Sequence, residues 1–387
     1  MFISRDDKSF GDAEEKINKM IDFSIELPTH NAKQREVLWE KLKNNSSFSF
    51  SDTINIELLS SKFCLTAGQI NDVINTSYNL SYVKEPKAAL NEITSNDVYQ
   101  ACRLHSNRRL GTLAQKITPN YQWDDIVLPL EHQQQMDEIR NYVKYRSQVY
   151  ENWGFSNKLS MGKGLNILFS GPPGTGKTMA SEVLASCFGL DLYKIDLSSI
   201  VSKYIGETEK NLGKIFYEAE TSNAILFFDE ADALFGKRSD VKSSHDRNAN
   251  IEVSYLLQKI EEYEGIVILA TNFRRNMDEA FIRRLHFSID FPFPEEEERI
   301  RIWQNIWPNT MPIDSNVDLE ALSKYLKVAG GNIRNVALSS AFLAAEERER
   351  NPQAKVTMKH IIHAAKREYK KMGQTVRPGQ FDELLNE

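Results

Sequence analysis

Three near-continuous apolar runs punctuate the middle of the chain: Leu165–Phe169, Ala224–Phe228 and Ile266–Ala270. Each ends at a glycine, an acid or an amide. Runs of this length without apolar–polar alternation read as strands buried on both faces, the pattern of a parallel sheet. Helical spacing fills the intervals. In Thr208–Glu220 the apolar positions Leu212, Ile215, Phe216 and Ala219 share one face, and Val253, Leu256, Leu257 and Ile260 form a second stripe. Alternating strands and helices predict an α/β fold, with a mostly parallel five-stranded sheet at 165–169, 192–196, 224–228, 265–270 and 287–291. The polar stretch 107–120 reads as a linker, and residues 373–387 as a loose tail.

The first run opens onto GPPGTGKT, Gly171 to Thr178, followed by the helix-prone MASEVLASCFGL. Strand, glycine-rich turn, Lys-Thr and helix form a phosphate cradle, because glycines let successive N–H groups face anionic oxygens at a positive helix end. Lys177 can reach the β- and γ-phosphates, and the Thr178 hydroxyl can take a place on Mg²⁺. Hydrolysis also requires a metal-holding carboxylate and a residue that orients water. The second run delivers Asp229 and Glu230 at its carboxyl end, suited to these two tasks in that order. The third ends in Asn272, whose amide could bond both the water and the γ-phosphate.

In order and spacing, these motifs resemble those of the AAA+ ATPases over roughly residues 118–372. GPPGTGKT resembles the family's Walker A motif, ILFFDEAD its Walker B and ILATN its sensor 1, and the chain looks close to the protein-remodelling branch that includes katanin and spastin. The resemblance implies an α/β core over 121–307 followed by a small all-α lid over 308–372, with ATP and Mg²⁺ bound between them. It assigns nucleotide contact to Asp125 and Ile126 of the stretch WDDI, and to Gly171, Pro172, Pro173, Gly174, Thr175, Gly176, Lys177, Thr178 and Met179. Thr178 and Asp229 would hold the metal, Glu230 would act as base and Asn272 as sensor. Arg283 and Arg284 would be the fingers lent to a neighbour's nucleotide, and Arg334 of GGNIR the lid's own sensor. The family's further basic residues after the finger pair are replaced here by Phe287 and Ser288, and Arg334 is a residue that the katanin-like branch often lacks. Lys203, Tyr204, Ile205 and Gly206 resemble the first channel loop of the unfoldases, and 236–247 a second. A homo-hexamer acting on a protein substrate or adaptor is the assembly implied.

The chain also contains an internal repeat. A shift of 264 aligns 23–39 with 287–303, matching Phe23, Ser24, Ile25, Pro28, Arg35 and Trp39. A shift of 263 aligns 54–77 with 317–340, sharing Glu57, Leu59, Ser60, Gly68, Ile70, Val73 and Ser77, and lays 93–103 on 356–366. Agreement over three blocks is the mark of a duplicated unit. Residues 1–107 are therefore expected to be the last strand and helical lid of an earlier, degenerate AAA+ module, a lid-like remnant. Lys19 and Met20 stand at the finger positions, and Asn71 at that of Arg334. The expectation extends to a tandem ATPase of which this chain is the later part, an arrangement that resembles ATPases of phage-tail-like contractile injection systems.

Composition narrows the alternatives. The net charge of −6 argues against general nucleic-acid affinity. Cys64, Cys102 and Cys187 read as buried thiols of a reducing compartment. His360 and His363, a helical turn apart, read as lid-surface residues. No targeting segment or membrane-length apolar run is visible, so a cytoplasmic protein without membrane contact is expected. Two rivals to protein remodelling stay open: a nucleic-acid-dependent motor, and an ATP-regulated scaffold with little turnover.

Overall fold

The computed structural model describes residues 30–63, 65–84, 92–106, 114–159, 162–197, 207–222, 224–231, 244–272 and 282–374. At the amino end, α1 (Ala32–Asn45), α2 (Ile56–Lys62), α3 (Ala67–Lys84) and α4 (Ser95–Ser106) enclose Trp39, Leu59, Phe63, Ile70, Val73 and Ala101. Two short parallel strands, β1 (Ser49–Phe50) and β2 (Glu92–Ile93), join their connections. The helix starts are locally encoded. Asn31 accepts from the Gln34 N–H while the Gln34 side chain accepts from the Asn31 N–H, and Asn55 caps α2 through the Leu58 N–H.

The α/β core follows: β3 (Gln115–Ile117), α5 (Leu130–Ser147), β4 (Leu165–Ser170), α6 (Lys177–Phe188), β5 (Asp191–Asp196), α7 (Glu207–Ser222), β6 (Ala224–Asp229), α8 (Ser244–Glu262), β7 (Ile266–Thr271) and β8 (Phe287–Asp290). Strand order is β3-β5-β6-β7-β4-β8. The last five are parallel, as expected from their unbroken apolar runs. One face buries Leu168, Leu226, Phe228 and Leu269 against α7 and α8, the other Ile167, Phe169, Phe227 and Ile268 against α5 and α6. The sheet has six strands instead of the expected five. β3 lies in the stretch read as linker and pairs antiparallel with β5, its Lys116 meeting Asp191 at 2.7 Å. Two polar residues and one isoleucine are too short a run to carry a strand signal of their own; the open edge of β5 supplies their partners.

The carboxyl-terminal helical unit comprises α9 (Glu296–Asn305), α10 (Leu319–Tyr325), α11 (Gly330–Arg348) and α12 (Met358–Lys371). It begins earlier than 308, because Trp303 of α9 is wholly buried among Leu322, Ile333, Val336 and Ile361. The inward face of α9 is Arg299, Ile302 and Trp303, a stripe of little more than one turn that opens on a charged residue.

The two helical units agree beyond their helix starts. The bridge Phe50–Ile93 corresponds to Ile313–Val356 under the sequence shift. Arg35 is buried and donates from Nε to the Ser60 carbonyl at 2.9 Å and from Nη1 to the His30 carbonyl. Arg299 makes the equivalent bonds, to Ser323 at 2.8 Å and Pro294 at 2.5 Å. Ser77 donates to the Val73 carbonyl and Ser340 to that of Val336, both at 2.7 Å. A polar pair recurs at the matching positions: Asp97 with Lys84, and His360 with Glu347 at 3.0 Å. His360 also meets Thr357, a structural use of this histidine. Helical propensity gives helices; it does not aim one arginine at the same two carbonyls twice. Replacing Arg299 with Ala leaves buried carbonyls without a donor and should cost roughly 2–4 kcal/mol in chemical denaturation.

Cys102 is buried, and burial pushes its thiol pKa up. Cys187, expected to be buried, is exposed, because Leu184, Ala185 and Phe188 take the inward face of the last turn of α6. Cys64 lies outside the described residues. Among those residues no helix is long and apolar enough to cross a membrane.

Candidate functional site

Parallel strands place their carboxyl ends at one edge of the sheet, and the candidate residues gather there. The loop after β4 starts at Gly171 with φ +141°, where a Cβ would overlap the Phe291 carbonyl beyond β8. Only glycine lets the chain leave β4 so close to its neighbour. Lys177, the first residue of α6, is buried, and its ammonium donates to the carbonyls of Gly171 at 2.6 Å and Pro172 at 2.9 Å. It also donates to Oδ1 of Asn272 at 2.9 Å, which joins the loop lysine to the end of β7. Thr175 donates to the Pro172 carbonyl at 2.9 Å and braces the turn. Thr178 and Met179 follow in the first turn of α6, both half-buried.

At the end of β6, Asp229 accepts from the Lys194 ammonium at 2.6 Å and from the Glu230 N–H at 3.0 Å. Lys194 sits on adjacent β5 and was not foreseen, although a lone cation inside the strand DLYKID was a signal available in the sequence. Glu230 has φ +53°, the left-handed region that a non-glycine residue occupies at a cost of about 1–3 kcal/mol. Its side chain is exposed at the strand end. Strain at an exposed carboxylate on the carboxyl edge of the sheet is the kind of backbone outlier that marks functional positions.

Two contacts set the helical unit over this edge. The Gly331 N–H, at the start of α11, donates to the Gly174 carbonyl at 2.9 Å. Asn305, ending α9, donates to the Asp124 carbonyl at 3.3 Å. Arg334 lies one turn into α11 and is exposed. Asp125 uses its carboxylate locally, accepting from the Gln122 N–H at 2.7 Å, and Ile126 is buried in the core beside β4.

The two candidate fingers differ. Arg284 is ion-paired through Nε with Glu261 of α8, whereas Arg283 is exposed. Lys203, Tyr204, Ile205 and Gly206 lie outside the described residues, as does 232–243. Residues 244–247, read as the end of a second channel loop, form the first turn of α8. Thr178 and Asp229 offer hard oxygen donors from the loop helix and the neighbouring strand end, a donor chemistry that suits Mg²⁺.

Residues 167–293 match the profile of the ATPase family associated with various cellular activities (AAA). The chain is 31% identical over 206 residues to a proteasome-activating nucleotidase of Saccharolobus islandicus, covering 51% of each chain. It is 30% identical over 268 residues to a cell division cycle protein 48 homologue of Archaeoglobus fulgidus, covering 64% of this chain and 35% of the relative. With the 26S proteasome subunit RPT4 of Saccharomyces cerevisiae the identity is 31% over 218 residues, 54% of this chain and 49% of the relative. The chain thus spans about half the length of the proteasomal relatives. Profile, relatives and sheet edge agree that this chain carries an AAA ATPase domain.

Proposed function

We propose that this chain is a Mg²⁺-dependent ATPase that works as a homo-hexameric ring and remodels a protein threaded through the central channel. The observation that carries the reading is the meeting of Lys177, Asn272, Asp229 and Glu230 at one sheet edge, with α11 set against Gly174. Thr178 and Asp229 would hold Mg²⁺, which would supply charge neutralisation to the nucleotide's phosphates. Glu230 takes the proton from the attacking water. Lys177 exchanges its bonds to loop carbonyls for phosphate oxygens, and its contact with Asn272 reports that exchange to β7. Arg334 reads the γ-phosphate from the lid, and because Gly331 is bonded to Gly174, a change at the loop is felt by α11 as a rigid element.

A neighbouring subunit completes the site with Arg283. Arg284, engaged with Glu261 of its own subunit, holds the finger segment to α8. Assembly is supported by apolar side chains that a lone subunit leaves in water. On α11, Leu338 is 58% and Phe342 70% exposed, and Trp153, before β4, is 66% exposed. The relatives' proteasomal and cell-division names support a protein substrate over a nucleic acid. Tyr204 and Ile205 would grip the polypeptide from the loop before α7. Residues 30–106 are, on this reading, the lid of a degenerate upstream module.

Turnover measured with unfolded protein, with single-stranded DNA and with neither tests the proposal: stimulation by protein alone is expected, and stimulation by DNA alone would overturn it. Tyr204→Ala should keep basal hydrolysis within about twofold while substrate unfolding, followed by loss of a fluorescent reporter fold, falls at least ~10-fold. An unchanged unfolding rate removes Tyr204 from the channel.

A further inference from the structure

The unit at residues 30–106 repeats the unit that covers the phosphate loop, yet among the described residues nothing packs on the corresponding face of the first copy. In the second copy the close approach is made at Gly331. Its N–H bonds the Gly174 carbonyl, and a Cβ there would lie 3.2 Å from the Gly174 Cα. The shift of 263 that relates the paired hydrogen bonds carries Gly331 onto Gly68, the second residue of α3. A Cβ built on Gly68 meets nothing within 4 Å. Its φ is not positive, so neither backbone nor neighbours require glycine there. In the first turn of α3 glycine has no helix-forming advantage over alanine, so nothing local selects it at the position whose counterpart meets a phosphate loop.

The first unit meets this chain's core by a different side. α4 runs beside α7, and Arg103 of α4 donates from Nε to the Gly189 carbonyl at 3.2 Å, just past the end of α6. The start of α3 is left exposed at Thr66, Gly68, Asn71 and Asp72.

We propose that this open face seats a second α/β phosphate-loop core, one not contained in residues 30–374, packed on Gly68 as Gly174 packs on Gly331. The inference rests on reading residues 30–106 as a nucleotide lid. A second copy of this chain does not fit, since its Gly174 is already covered by its own Gly331. Asn71 stands where Arg334 stands in the second unit, so the seated core receives an amide and no guanidinium from its lid. The contact is therefore a docking contact without charge sensing of a phosphate.

The test uses the full chain with a photoreactive phenylalanine analogue at Asn71, expressed in its source cells, irradiated, and mapped by peptide sequencing. The expected cross-linked peptide lies beside a glycine-rich phosphate loop other than Gly171–Thr178, whether on the same polypeptide or on another. Adding Gly68→Trp, which enters open space, should lower the yield at least ~10-fold, the loss that removal of a close-packed contact gives. The same change should leave the unfolding temperature and ATP turnover of this chain unchanged, and Gly68→Ala should reduce the yield less. Cross-links only to this chain's own residues, only to proteins without such a loop, or to nothing overturn the proposal, as does full yield with Gly68→Trp. ATP turnover in a Glu230→Gln chain tests the catalytic reading separately and does not alter the cross-link map.

Discussion

Glu230→Gln is expected to retain nucleotide binding and to lower turnover by ~10²–10⁴-fold, the usual loss when a positioned general base is removed. The amide keeps the shape of the carboxylate but cannot accept a proton at neutral pH. The neighbouring contacts should survive, because Asp229 is held by Lys194 and by the backbone N–H of residue 230, and Lys177 by loop carbonyls and Asn272. Binding of a fluorescent ATP analogue and phosphate release separate the two effects. Unchanged phosphate release would show that Glu230 is not the base, and lost binding would show that it shapes the loop.

A comparably large effect is expected at Arg283. A finger that stabilises transition-state charge contributes ~10³–10⁵ in turnover, so Arg283→Ala should approach inactivity while its own nucleotide pocket still binds. Arg284→Ala breaks a partly exposed ion pair with Glu261 and should cost far less directly, since such pairs contribute about 1 kcal/mol or less. Mixing supplies the decisive readout. Subunits carrying Arg283→Ala and subunits carrying Glu230→Gln are each inactive alone. In mixed rings some seams join an intact base to an intact finger, and turnover should partly return. No recovery on mixing, with assembly verified by light scattering, places Arg283 outside the neighbouring site.

Residues acting through their immediate neighbours were readable from sequence. The apolar runs became β4, β6 and β7 because a strand buried on both faces needs no partner-specific information beyond its own hydrophobicity. The stripe Leu212, Ile215, Phe216 and Ala219 became the buried face of α7 for a similar reason. Even the repeat was legible: its identical residues include Arg35 and Trp39, whose counterparts Arg299 and Trp303 occupy the same buried places. Strand β3 was not legible, because Gln115–Ile117 is ordered by the edge it joins. Nor was the extent of the second helical unit, since the inward stripe of α9 is short and opens on the charge of Arg299.

The sequence by itself determined the phosphate loop, the strand-end acids, the sheet's parallel character and the presence of a duplicated unit, since contiguous patterns encode all of these. The tertiary structure decided which side chains meet. Lys194 reaches Asp229 across 35 positions of chain, and Arg284 reaches Glu261 across 23. Gly331 finds Gly174, while Gly68 is left open. Such pairings depend on how strands are ordered and units stacked, and no local run of residues carries that distance. The two arginines that looked alike in sequence therefore become distinguishable only once α8 is packed beside them.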